Sequence, residues 1–450
     1  MRRKKYSAGM IILSYLLSLF IIVAPIYFYI FRPTPIDFDT KRVEPAWTGI
    51  ITLWDFPRFD SKKGTNFGWI YEKISIFEKR NPGVYIDFTP LTSDKGNEKI
   101  EIAIQNGTLP DILPIGNNNS ILTSNLLVPL NSYLAEGEIK SYNPAILKAT
   151  TFNDKIYALP WMVNTYTLMI NLEMFRGRGV EPPKDGKWTY EEFVEKLQQL
   201  TFDSRGRNKA DHFGFNGAIT PGYYNVWGII LSDGAEIFDN KGNYVFNDEK
   251  AISGVQKLLD LSNKFNVTPE DFGKKNPNQA WPSFYKDKNI AVFPVGTWGI
   301  NAVNRLNSKG TGFDYTIASF PTGDIGEPVM MVSDIGAFGI KNQDNDIGKI
   351  KMCVEFLKFL GDNQYQAELY RLGAFPVKNN IANIYGNQAE MSKIQENLSF
   401  LKVLNPHPLA KEVDEILQNE IILGVLGKKT AEEIIREANI KINDRLRKLN

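Results

Sequence analysis

Short apolar runs alternate with stretches of helical period along most of this 450-residue chain. Ile50-Ile51-Thr52-Leu53-Trp54 reads as a strand, and Trp69, Ile70, Ile74 and Phe77 recur at the spacing of one helical face. Asn81-Pro82-Gly83 ends that helix, and the alternation of Val84, Ile86 and Phe88 predicts a second strand. A helix from Lys99 to about Asn106 then leads through Gly107-Thr108-Leu109-Pro110-Asp111 into a third short strand. Strands alternating with helices predict a mostly parallel sheet covered on both faces. Ligands of such sheets collect beyond the carboxyl ends of the strands.

The middle of the chain carries a longer signal. Leu159 to Asn171 is an apolar run ending in Asn, followed by Met174-Phe175 and the double proline Pro182-Pro183. Thr189 and Glu192 form a capping-box pattern, with Trp188 placed as a hydrophobic staple to Phe193. A helix is predicted from about Glu249 to Phe265, then strands from Asn289 to Trp298 and from Ile335 to Ile340. Ile350, Val354, Leu357 and Leu360 share a helical face with the single cysteine, Cys353, which therefore reads as a small core residue. A second capping box, Thr430 with Glu433, opens an amphipathic helix through Ile434, Ile435, Ala438, Ile442 and Leu446.

The amino terminus follows a different pattern. Arg2, Arg3, Lys4 and Lys5 precede an apolar run from about Met10 to Phe31, long enough to span a bilayer, with the basic cluster left in the cytosol. The run ends in Ile26-Tyr27-Phe28-Tyr29-Ile30-Phe31, without the small residues of a cleavage site and without a following cysteine for lipid attachment. It reads as a retained anchor (1–31), with a proline-bearing linker (32–47) and a body outside the cell; a secreted body is the alternative if the segment is cleaved. The chain has 52 basic and 51 acidic residues with no basic stripe, so nucleic acid is excluded as a natural partner. Only two histidines, His212 and His407, stand far apart in sequence, and neither a metal site nor any other cofactor is expected.

Several motifs, taken in order, resemble the extracellular solute-binding proteins of sugar import systems, the maltose-binding-like group. They are Ile51-Thr52-Leu53-Trp54, Gly107-Thr108-Leu109-Pro110-Asp111-Ile112, and Asp154-Lys155-Ile156-Tyr157-Ala158-Leu159-Pro160. They continue with Tyr224 to Ala235, Gly296-Thr297-Trp298 and Glu355-Phe356-Leu357. The resemblance runs from about Ile50 to Leu446. It implies an α/β protein of two lobes, the periplasmic-binding-protein-like fold of the second type. Each lobe would be a mostly parallel sheet flanked by helices, and the chain would cross between lobes three times. The implied lobes are 48–159 plus 335–395 and 160–334 plus 396–450.

The same resemblance implies a carbohydrate in the cleft between the lobes. Arg58 and Phe59, in the loop after the first strand, and Asn118 and Asn119, in the loop after Asp111, would supply first-lobe contacts. Asn164 falls at the hinge. Tyr224 and Trp298 fall where rings stack on sugar faces, a sensible pairing because a pyranose presents an apolar C–H face and hydroxyls that suit planar polar partners. Trp161 and Trp227 are either contacts or core, and Asp334 is either a polar contact or a turn residue. The implied function is a receptor, not an enzyme, that hands an oligosaccharide to the permease of an ABC transporter by closing its lobes. A membrane-anchored sugar sensor acting on a signalling partner is the alternative. A glycoside-active enzyme would need two carboxylates across one cleft; no nucleophile-elbow, zinc or phosphate-loop motif stands beside them.

Overall fold

The computed structural model describes residues 47–116, 119–342 and 346–449, together with Phe20 and Val23. The body from Ala46 onward forms one compact unit. The expected anchor and linker fall almost wholly outside the described residues, apart from Phe20 and Val23, which are helical and exposed, and Trp47 at the end of the linker. Among the described residues no helix is long and apolar enough to cross a membrane.

The body opens with strand β1 (Gly49–Asp55), helix α1 (Gly68–Arg80), strand β2 (Val84–Pro90), helix α2 (Gly96–Asn106) and strand β3 (Ile112–Pro114). Strand β4 (Ala158–Asn171) follows, then α3 (Tyr190–Gln199), β5 (Phe213–Phe215), α4 (Trp227–Ile230), α5 (Glu249–Asn263) and α6 (Pro277–Tyr285). Next come β6 (Ile290–Gly296), α7 (Trp298–Ser308), β7 (Tyr315–Ala318) and β8 (Met330–Ile340). The chain closes with α8 (Ile347–Leu360), α9 (Ala389–Glu396), β9 (Leu401–Lys402), α10 (Ala410–Val425) and α11 (Ala431–Leu449).

Local chemistry explains many of these boundaries. Helix α1 buries Trp69, Ile70, Ile74 and Phe77, the face its periodicity predicts. Thr189 accepts the Glu192 amide while the Glu192 carboxylate accepts the Thr189 amide, so both ends of the capping box at α3 are closed. The Trp188 and Phe193 rings meet at 4.9 Å as the staple requires. Thr430 and Glu433 repeat the reciprocal pair at α11. Cys353 is buried in α8, where burial pushes its thiol pKa up and keeps it protonated.

Two lobes are joined by β4 and β8, which run antiparallel to each other through the middle of one nine-stranded sheet of order β2-β1-β3-β8-β4-β6-β5. Strand β4, with 14 residues, reaches about 45 Å. Its first half pairs with β8 from Ile335 to Gly339, and its second half pairs with β6 and β7. The outer strands pair in parallel (β1 with β2 and β3, β5 with β6), so the sheet is mixed where the lobes join and parallel toward its edges. A third crossing runs between α9 and α10, where β9 pairs with Met330 and Met331.

The β4–β8 register breaks at Val332/Asp334 and again at Gly336/Ala337, bulges that bend the sheet where the lobes meet. At the second break a Cβ on Gly336 would lie 2.5 Å from Met162 Cγ and 2.9 Å from Trp161 Cε2. Glycine there lets the two strands close. One apolar core gathers Trp69, Ile112, Trp161, Phe338 and Phe356, and continues past the hinge onto Phe293 and Ile300. The other gathers Phe175, Phe193, Trp227, Phe246 and Ile434.

Candidate functional site

The loop leaving β1 places Arg58 at the mouth of the hinge. Its Nη1 donates to Asp55 Oδ1 at 2.8 Å, and Nη2 stands 3.6 Å from Asp334 Oδ2 on β8. The guanidinium lies 5.1 Å over the Trp161 ring, while its Nε is buried without a hydrogen-bond partner. Burial opposes its charge, but Asp55 and Asp334 outweigh burial and hold it more firmly protonated. Burial pushes the Asp55 carboxyl pKa above the usual range even though Arg58 pulls it down, and Asp334 adds repulsion. Trp161 is the buried bed beneath this pair, stacked between Trp69 at 4.8 Å and Phe338 at 6.0 Å.

The facing wall comes from the turn before α4 and from α10. Asp414, buried on α10, accepts the Gly222 amide at 2.5 Å and the Gln418 side-chain amide at 3.2 Å. It also bonds the Tyr224 hydroxyl. Burial pushes the Asp414 carboxyl up despite those donors, with Glu415 adding repulsion. Burial, then the neighbouring Asp414, drives the Tyr224 hydroxyl pKa well above its ordinary value, so it stays a neutral donor. Its ring lies 5.7 Å from Trp227, which is itself fully buried in the second core.

Between the walls lies a cavity of about 720 Å³. Its lining includes Arg58, Tyr224 and Asp334, which sequence reasoning singled out, together with Glu101, Lys411 and Asp414, which it did not. A smaller cavity of about 310 Å³ lies elsewhere, between α9 and the Asp185–Lys187 turn.

The other candidates take different places. Asn164 is the cross-strand partner of Asp334, so both side chains belong to one face of the sheet. Turned with Nδ2 toward them, its amide donates to Gly373 O at 3.0 Å and Thr297 Oγ1 at 2.9 Å, joining both sides of the hinge. Trp298 comes one residue later, 45% exposed, with its indole edge-on to Trp281 at 5.2 Å. Phe59 is also half-exposed, under Arg305 of α7 at 6.0 Å. Neither ring lines the 720 Å³ cavity. Trp161 and Trp227 are packed in the cores. Asn118 lies outside the described residues; Asn119 begins a short helix, Asn119–Leu122, and its side chain lies outside them too.

Asp414 carried one faint sequence signal. It and Gln418 are polar residues four apart beside the apolar stripe Val413, Leu417 and Ile421, so a polar pair turns inward on an amphipathic helix. Among the described residues no three His, Cys, Asp or Glu side chains converge closely enough to hold a metal ion.

The family model for bacterial extracellular solute-binding proteins matches residues 62–367. The diacetylchitobiose binding protein DasA of Streptomyces coelicolor is 25% identical over 363 residues, 78% of this chain and 80% of its own. A cyclic alpha-maltosyl-1,6-maltose binding protein from Arthrobacter globiformis has a TM-score of 0.73 at 16% identity, covering 88% of this chain and 99% of its own. An ABC substrate-binding protein from Listeria monocytogenes, solved with cycloalternan, has a TM-score of 0.69 at 16% identity, covering 89% and 99%. These structural likenesses show a shared two-lobed fold.

Proposed function

Because the chain belongs to the bacterial extracellular solute-binding protein family, we propose that it is a carbohydrate receptor whose lobes close on an oligosaccharide and present it to a membrane importer. The observation that carries this reading is the cleft. A cavity of about 720 Å³ joins both lobes at the bulged hinge, with the Tyr224 ring on one side and the Arg58 and Asp334 groups on the other. Planar polar groups beside a ring suit the hydroxyls and C–H face of a pyranose. The three relatives described above, each a binding protein named with a sugar, support the same class. The lobes are assigned as 48–159 plus 335–395 and 160–334 plus 396–450, supported by the inclusion of Phe375 and Met391 in the first core and of Val413 and Ile434 in the second.

A ligand that binds only the folded state raises the melting temperature. The full chain, screened against a panel of mono- and oligosaccharides, should show such a shift for at least one of them. The best ligand, recovered after long incubation and weighed by mass spectrometry, should be unaltered. Absence of any shift would sink the carbohydrate reading, and enzyme-like cleavage would sink the receptor reading. The amino-terminal segment is proposed to stay on the protein and hold the body outside the membrane. Sequencing the mature amino terminus tests this, and a start near residue 32 would refute it.

Trp298 is proposed to stack on one end of the ligand. Its exposed indole stands beside Thr297, which is bonded to Asn164 on the cleft face. Trp298→Ala should weaken binding by about 1–3 kcal/mol, extrapolating from burial of a large apolar side chain. As the ring is half-exposed, the denaturant midpoint should move by less than about 1 kcal/mol equivalent. Unchanged calorimetric affinity would remove Trp298 from the site.

A further inference from the structure

We infer that the ligand of this cleft carries a protonated amine: an amino-sugar oligosaccharide rather than a neutral one. The inference rests on the carbohydrate reading above and concerns charge alone. Four carboxylates line the cavity, Glu101, Asp334, Asp414 and Glu415, against two bases, Arg58 and Lys411. Glu101 is exposed, and so are Lys411 and Glu415 one turn apart on α10, so the balance of the interior rests on Asp55, Asp334 and Asp414 against Arg58.

The interior is acidic. Arg58 gives its short contact, 2.8 Å, to buried Asp55, leaving Asp334 the longer one of 3.6 Å. Asp334 keeps 45% of its side chain exposed. Asp414 on the facing wall is held by the Gly222, Gln418 and Tyr224 donors, none of which carries charge. Asp55 and Asp414 both sit above the usual carboxyl range, chiefly from burial, with a neighbouring carboxylate adding to each.

Closing two lobes over this cavity strips water from more negative charge than Arg58 can balance, and an unbalanced buried charge is costly. Hydroxyls of a neutral sugar can fill the carboxylate lone pairs but leave the charge in place. An ammonium group fills the lone pairs and also balances the charge. A metal ion is the poorer fit, since no three ligating side chains converge among the described residues. A bare polyamine fits poorly as well, because Arg58 Nε is a buried donor without an acceptor and calls for a ligand oxygen. An amine beside ring and hydroxyl oxygens answers both demands.

The test sets three probes against the full chain by calorimetry at mildly acidic pH: the trimer of β-1,4-linked glucosamine, its fully N-acetylated form, and maltotriose. The amine trimer should bind roughly tenfold tighter or more than either neutral sugar, equivalent to about 1.4 kcal/mol. High salt should shrink that preference. Asp334→Asn should cut the affinity of the amine trimer by a larger factor than that of either neutral sugar and so abolish the preference; its melt checks folding. Equal or tighter binding of a neutral trimer, or a preference that survives Asp334→Asn and salt, would overturn the inference while leaving the receptor reading intact. No binding by any sugar in the wider panel would overturn both.

Discussion

Replacing Arg371 with methionine is expected to destabilise the body by about 3–5 kcal/mol, the usual cost of removing one partner from a buried ion network. The Arg371 side chain is 1% exposed and bonds Asp60 at 2.6 and 3.2 Å, Glu72 at 2.9 Å and Glu368 at 2.8 Å. Buried Lys73 completes the network on Glu368 at 2.7 Å and Glu72 at 3.2 Å, and Lys63 reaches Glu72 at 3.1 Å from the rim. Methionine fills similar volume but leaves three carboxylates to two lysines. The Arg371 carbonyl also accepts the Ser61 amide and hydroxyl, so the network pins the loop that carries Arg58 and Phe59. Ligand capture should therefore weaken together with stability.

The pH dependence identifies the cause. The Arg371 hydrogen bond is the main force holding the Glu72 carboxyl at about 2. Burial raises Asp60, but Arg371 and the Lys62 and Lys63 amides more than reverse that and hold it low. Both folded pKa values lie below the unfolded ones, so this stabilisation is complete at neutral pH and is lost as pH falls through the carboxylate range toward about 2. Denaturant melts of wild type and Arg371→Met should converge toward that acid limit. A constant gap down to about pH 2 would mean that the loss is packing and not charge.

How far this was legible in the sequence depends on the range of the interaction. The two capping boxes, the Trp188–Phe193 staple, the α1 face and the Cys353 face are set by residues three or four apart, and the pattern displays them directly. Helix α6 was not legible: it is short, has Pro282 inside, and takes its stability from its own capping box at Asn276 and from the Phe284 and Phe293 rings. The cleft was half legible. Its first-lobe wall follows β1 directly, whereas its second wall brings Tyr224 beside Asp414, 190 residues later, through a side-chain hydrogen bond. Trp161 and Trp227 show the limit of residue type as evidence. Both flank the hinge motifs, and only the tertiary packing of Trp69, Phe338 and Phe246 turns them inward.

Arg58→Gln is expected to cost about 3 kcal/mol at neutral pH, the low end for a broken buried pair because the guanidinium is partly exposed. Glutamine can still donate a hydrogen bond but leaves Asp55 buried beside Asp334 without its cation. Asp55 already titrates above its usual range from burial, with Arg58 restraining the rise. Without Arg58 it should titrate higher still. A carboxyl with a raised folded pKa binds its proton more tightly folded than unfolded, so stability falls as pH rises from the unfolded value through the folded one. The deficit of Arg58→Gln should therefore be largest at neutral pH and shrink as the pH falls from the raised folded pKa of Asp55 toward its unfolded value. That is the reverse of attributing it to lost packing, which would be pH-independent. Adding Asp55→Asn removes the stranded charge, and the double variant should regain much of the stability at neutral pH. It should not regain ligand binding, since the donors that face the cavity are still missing. Wild-type stability and affinity in the single variant would remove Arg58 from the centre of the cleft, and recovered binding in the double variant would make it a scaffold for Asp55 and not a ligand contact.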